Sequence, residues 1–136
     1  MNPQFPHPQP PIQAVLHIND AFYRAFEKKS MESMEEVWSQ GVGCLCIHPG
    51  RRALKGWPAI RDSWAQIFAH TDYIEINTDV ITTEIYGDVA WVVLVENVLQ
   101  ISGRRRVEAQ SMATNGFERM GSRWYLIHHH GSPVMA

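Results

Sequence analysis

The residues of this chain best suited to chemistry are polar side chains set into otherwise apolar, alternating stretches. They are His128, His129 and His130 in WYLIHHHGS, Asn97 in VAWVVLVEN, Asn115 in ATNGF and His48 in CLCIHPG. An unsatisfied buried amide or imidazole costs roughly 1–3 kcal/mol. Such groups therefore either satisfy one another inside a core or converge on a small-molecule pocket. Histidine titrates near neutrality, and an aromatic surround shifts it further, so acid–base work is the chemistry on offer. Nucleophilic catalysis has no comparable support, because the serines lack a G-x-S-x-G setting and neither cysteine carries a partner pattern. His48, His128 and His130 form a possible metal trio. Residues two apart on a strand converge less well than an i, i+4 pair on a helix, however, and no carboxylate accompanies them by motif. The expectation is no tight metal and no cofactor.

Those groups must be positioned by a chain whose pattern changes once. Residues 1–11 carry five prolines and read as an extended arm. From residue 12 the apolar stripe Val15, Ile18, Phe22, Ala25, Phe26 predicts a helix to about Lys29. Ser30 caps a second helix to about Ser39, and CLCIH is a short strand ended by Pro49 and Gly50. A third helix opens at GWP, with Ile60, Trp64, Ile67 and Phe68 on one face. After His70 the period becomes two, with strands expected over 73–86, 88–101, 105–119 and 122–131. Helices segregated from a meander give an α+β fold: a curved antiparallel sheet packed on three N-terminal helices, as one domain over 12–133.

Strand alternation then sorts the candidates. On the last strand Trp124, Leu126, His128 and His130 share one face, and His129 falls on the other. Asn115 and Phe117 point inward, because Glu118 and Arg119 prefer water. On 88–101 the face of Trp91, Val93, Val95 and Asn97 is grouped with the pocket. The expected site is therefore His128 and His130 as proton carriers, with Asn97, Asn115, Trp38, Trp57, Trp64, Trp91, His48 and Phe117 around the ligand.

Bulk properties narrow the partners. With 136 residues, 45% apolar, 19% charged and a formal net charge of -2, the chain reads as one globular domain without the cationic footprint that nucleic acid requires. Arg104, Arg105 and Arg106 follow Gly103 and read as a solvated hairpin turn, joined by Arg51 and Arg52 only if the fold brings them close. Cys44 and Cys46 are too close for a good disulfide, and no apolar run approaches membrane-spanning length. The expected setting is the cytoplasm, away from any membrane.

The ordered signals HPG, L-x-GWPAI-x-x-SW, GDVAWV, ATNGFER and W-Y-L-I-HHH-G-S resemble the nuclear transport factor 2-like superfamily, in its SnoaL-like branch, over about residues 12–133. The resemblance implies a cone-shaped sheet around helices, commonly dimerised through the sheet. It spans isomerases, polyketide cyclases, dehydratases and the association domain of calcium/calmodulin-dependent kinase II, so fold alone does not select a function. The terminal W-x-L-x-H-H-H-G-S is similar to the end of that association domain, which implies inward-pointing His128 and His130. Asn97 and Asn115 stand where that domain has cavity arginines, and the acids of ketosteroid isomerase have no evident counterpart.

Two functions follow as expectations. The leading one is a dimeric small-molecule-binding domain acting as a cofactor-independent acid–base enzyme, of isomerase, cyclase or dehydratase type, on a hydrophobic carbonyl-bearing metabolite. The alternative is a non-enzymatic association module whose cone is filled. Strand 88–101 is apolar on both faces, which predicts a homodimer through the sheet. Sedimentation at micromolar concentration should show the dimer; a 15.6 kDa monomer would refute it.

Overall fold

The computed structural model describes residues 10–135. Of the proline-rich segment 1–11, only Pro10 and Pro11 fall within it. Pro10 stands at the cap position and Pro11 opens helix α1, where the missing N–H costs nothing. The helices are α1 (Pro11–Lys28), α2 (Met31–Val37) and α3 (Trp57–Ala69). The strands are β1 (Leu45–Ile47), β2 (Leu54–Lys55), β3 (Tyr73–Tyr86), β4 (Val89–Ser102), β5 (Arg105–Met120) and β6 (Arg123–Pro133). Among the described residues, no helix is long and apolar enough to cross a membrane.

The helices pack on one face of a curved six-stranded sheet of order β2-β1-β6-β5-β4-β3. The four long strands form the expected antiparallel meander, but β1 runs parallel to β6, so the sheet is mixed. That parallel pairing needs a long crossover, and α3 with the meander supplies it. The two-residue strand β2 was too short to show a periodicity.

Local chemistry accounts for the helix ends. The Ser30 hydroxyl accepts from the Ser33 amide at 3.1 Å to cap α2. Gly56, at φ 88°, turns the chain into Trp57 and Pro58 at the start of α3. Phe22 sits at the centre of the core, its ring centroid 4.9 Å from Tyr23, 5.5 Å from Trp64 and 6.2 Å from Trp38, all edge-on. Phe117, Met34 and Leu126 are among the other fully buried side chains.

Register overturns part of the alternation argument. On β4, Ala90, Val92, Leu94 and Glu96 face the helices, while Trp91, Val93, Val95 and Asn97 face away. The reason is cross-strand pairing: Asn115 stands opposite Val92, and Phe117 opposite Ala90. On β6 the pairing runs Phe117 with Leu126 and then Gly116 with His128, so Ile127 has no partner and forms a β-bulge. Trp124 and Leu126 face inward as expected. Beyond the bulge the parity reverses, so His129 points inward, whereas His128 and His130 point outward.

The HPG turn is locked onto β6. Arg51 N–H donates to His48 O at 2.9 Å, with Pro49 and Gly50 (φ 75°) at the turn's centre, and Pro49 lies over Gly131. A Cβ at Gly131 would lie 2.9 Å from Pro49 Cγ, so no side chain fits there. Gly131→Ala should therefore lower stability by about 1–3 kcal/mol. Chemical denaturation checks this, and an unchanged midpoint would show that the turn is not clamped.

Candidate functional site

The interior polar groups form one chain of hydrogen bonds with a single direction. Asn19 and Tyr23 lie four apart on α1 and project from one face toward the sheet. Tyr23 donates its hydroxyl hydrogen to Glu96 Oε2 at 2.6 Å. Asn115 Nδ2 donates to the Tyr23 hydroxyl oxygen at 3.0 Å and to Asn19 Oδ1 at 2.9 Å. With its amide nitrogen so committed, Asn115 presents Oδ1 to His129, 2.6 Å from Nδ1. His129 must therefore carry its hydrogen on Nδ1. Its Nε2 has no hydrogen bond among the described residues.

A second imidazole lies next to it. The His48 and His129 ring centroids are 6.4 Å apart, with Trp64 edge-on to His48 at 4.8 Å. Ser63 donates to Ile60 O at 2.7 Å, so its oxygen accepts the hydrogen of His48 Nε2 at 2.9 Å. His48 Nδ1 is thereby left as the unprotonated nitrogen. Cys46 Sγ approaches the same Nε2 at 3.6 Å. A cleft of about 430 Å3 opens beside His48 and is lined by His48, Ser63, Leu54, Ala59, Asp62, Gln66, Arg51 and Arg52, with His129 buried behind the His48 ring. Trp64 Nε1 and Trp38 Nε1 are buried without a hydrogen-bond partner among the described residues.

Electrostatics keep both rings neutral. Burial, followed by the charge of Arg51, lowers His48 to about 4. Burial, followed by His48, His128 and His130, lowers His129 to about 3. Burial raises the Glu96 carboxyl, and the Tyr23 hydrogen bond opposes that rise. Tyr23 is pushed well up by burial and by Glu96, and burial lifts the Cys46 thiol to about 12, so neither ionises readily. The arrangement is thus one neutral base, His48, in the wall of a cleft and a second, His129, buried behind it and tethered through Asn115 and Tyr23 to Glu96.

The structure brings together His48, Asn115, Trp38, Trp57, Trp64 and Phe117 inside the fold. It leaves Trp91, Asn97, His128 and His130 on the outer face. There Trp91 is 43% exposed, and Asn97 bonds Asp79 and Gln110 across neighbouring strands. His48 and the pair His128/His130 lie on opposite faces of the sheet, so these three cannot converge on one ion. His129, assigned from alternation to the face opposite Trp124 and Leu126, is in the interior instead. Glu96, Tyr23, Asn19 and Ser63 were missed. A two-residue turn at Gly103 and Arg104 would have placed Glu96 on the face of Asn115, but nothing local signals the bulge at Ile127.

Both histidine shifts depress the folded-state value below the ordinary 6.5, so the unfolded chain binds more protons as the pH falls. Their contribution to stability is full above about 6.5 and is lost from there down through about 4 for His48 and about 3 for His129. Glu96, being raised, acts in the opposite sense and loses stability as the pH rises through its folded value. His129→Gln should flatten the acid limb of stability between pH 6.5 and 3, measured by denaturation across pH. An unchanged slope would show that His129 is not held neutral.

The match to known proteins agrees with this fold. Residues 15–136 match the model of the SnoaL-like domain family. A crystal structure described as a candidate dehydratase of the nuclear transport factor 2-like family, from Streptomyces avermitilis, is 35% identical, with a TM-score of 0.84 over 92% of this chain and 96% of that one. One from Thiobacillus denitrificans, described as a candidate calcium/calmodulin-dependent protein kinase type II association domain, is 26% identical, with a TM-score of 0.81 over 93% of this chain and 100% of that one. The F-box protein SKIP8 of Arabidopsis thaliana is 24% identical over 90% of this chain. This chain spans only 51% of that relative's length. Helices, mixed curved sheet and family match together establish that the chain belongs to the SnoaL-like family.

Proposed function

We propose that the protein binds a small carbonyl-bearing metabolite in the cleft beside His48 and performs cofactor-independent acid–base chemistry on it. The observation that carries this reading is the pair of neutral imidazoles, 6.4 Å apart, each with one nitrogen's hydrogen committed elsewhere and the other nitrogen bare. A buried carboxylate at the end of such a chain is costly to maintain, and perturbed groups of this kind gather at functional sites. His129 Nε2 accepts a proton from the carbon next to the substrate carbonyl. The resulting imidazolium is held by Asn115 and, farther off, by the Glu96 carboxylate. It then returns the proton to another carbon, giving isomerisation, or to a departing hydroxyl, giving loss of water. His129 and His48 thus take the roles first assigned to His128 and His130. The similarity to a candidate dehydratase supports this class of reaction.

A second reading has its own observation. The core around Phe22 is filled by Trp38, Trp64 and Phe117, and the outer face of β4 offers Trp91, Val93 and Val95 to a partner. That combination, with the similarity to a candidate association domain, favours a homodimer formed through the sheet, enzymatic or not.

The test is a panel of enolisable ketones and β-hydroxy ketones in deuterated water, with hydrogen exchange and water loss followed by NMR. A member of the panel should exchange or dehydrate, and His129→Gln should slow it by about 100-fold or more. If no member binds or reacts while sedimentation shows a dimer, the association reading replaces the enzymatic one.

A further inference from the structure

The cleft beside His48 has a charged rim that the acid–base step leaves unused. Arg51 and Arg52 line it, both are exposed, and neither makes an ion pair among the described residues. By contrast, Arg24, Arg61, Arg106 and Arg119 all do. Asp62 is the one carboxylate in the lining, so the rim keeps a positive excess. The arginine run of the β4–β5 hairpin does not contribute: Arg105 lines a separate cleft with Gln100, Ser102 and Val107. The rim is also rigidly placed, because the His48–Arg51 turn is closed by a 2.9 Å hydrogen bond and Pro49 is seated against Gly131. Behind His48, with ring centroids 4.8 Å apart, lies the fully buried Trp64, whose indole N–H has no partner among the described residues.

We propose that this cleft recognises a small ligand through an oxyanion group, a carboxylate or a phosphate, held by Arg51 and Arg52 while the rest of the molecule reaches His48 and Ser63. This inference rests on the acid–base reading for the identity of the reacting end, and it adds the substrate class. Guanidinium groups suit the task because their planar forks bind oxyanions through paired, charge-assisted hydrogen bonds. A cleft of about 430 Å3 accommodates a metabolite of modest size. The consequence reaches the imidazole. Part of what holds His48 down is the positive charge of Arg51, so an anion on that guanidinium relieves the repulsion and raises His48 from about 4. The other groups near the ring are His129, Cys46 and Asp62, and an anion bound at Arg51 displaces none of them.

The experiment is an NMR titration of His48 in the whole protein, in chloride, acetate or inorganic phosphate at matched ionic strength. Acetate, phosphate or both should move the His48 midpoint upward relative to chloride, and which one does so tells a carboxylate site from a phosphate site. Arg51→Gln/Arg52→Gln should abolish the movement and weaken anion binding at least about tenfold. Arg104→Gln/Arg105→Gln should change neither. The same midpoint in all three salts, or a movement that survives in Arg51→Gln/Arg52→Gln, overturns the proposal. His129→Gln separates the two claims. If turnover survives that change while the anion-dependent midpoint is present, only the acid–base reading fails. If a substrate is turned over with unaltered KM by Arg51→Gln/Arg52→Gln, only the anion site fails.

Discussion

The 2.6 Å hydrogen bond between His129 Nδ1 and Asn115 Oδ1 is the contact on which the interior depends. It can form only because β6 bulges at Ile127, which moves His129 to the helix-facing side and leaves it opposite Asn115. Gly116 belongs to the same adjustment. It pairs with His128 across the shifted register, and a Cβ there would lie 3.1 Å from His128 Cβ. Once His129 is inside, the remaining interior polar groups follow in order. Asn115 turns its amide to Asn19 and Tyr23, and Tyr23 turns its hydroxyl to Glu96. Each such bond adds only about 1 kcal/mol net, but each prevents a desolvation cost larger than that.

The sheet consequently has two unlike faces. The inner one packs Phe22, Trp38, Trp64 and Phe117 around the polar chain, with a cleft beside His48 at its end. The outer one carries Trp91, Val93 and Val95 in the middle of β4, with the polar cluster Asn97, Asp79 and Gln110 beside them. A change on one face alters packing on the other only through the backbone. The pair His128 and His130 belongs to the outer face. Its ring spacing of 6.4 Å reflects strand alternation and does not mark an inner site.

Charge placement within the inner face follows from burial. Two imidazoles close together in a low-dielectric interior cannot both be protonated, and the arginine beside His48 adds to that penalty. Glu96 lies at the far end of the hydrogen-bond chain, bonded to Tyr23 and not to His129. Neutral imidazoles and a cationic rim are the features on which the proposed anionic ligand rests.

Composition and periodicity were enough for the three helices, β1 and the four long strands. The 3.6-residue stripe of α1, the Ser30 cap, the GWP helix start and the period-two stretches after His70 are local signals, and all reappear within a few residues of where the sequence put them. The inward placement of Asn115 and Phe117 was legible because Glu118 and Arg119 sit next to a turn. The face of β4 was legible in principle, since the Gly103-Arg104 turn fixes which residues stand opposite Asn115. What sequence alone could not contain was the bulge at Ile127 and the parallel seating of β1 on β6. The seating of β1 on β6 joins segments about eighty residues apart in the chain, and the bulge on β6 is settled by the helices behind the sheet, because the cost of burying one histidine rather than its neighbour depends on partners that only the folded molecule brings near.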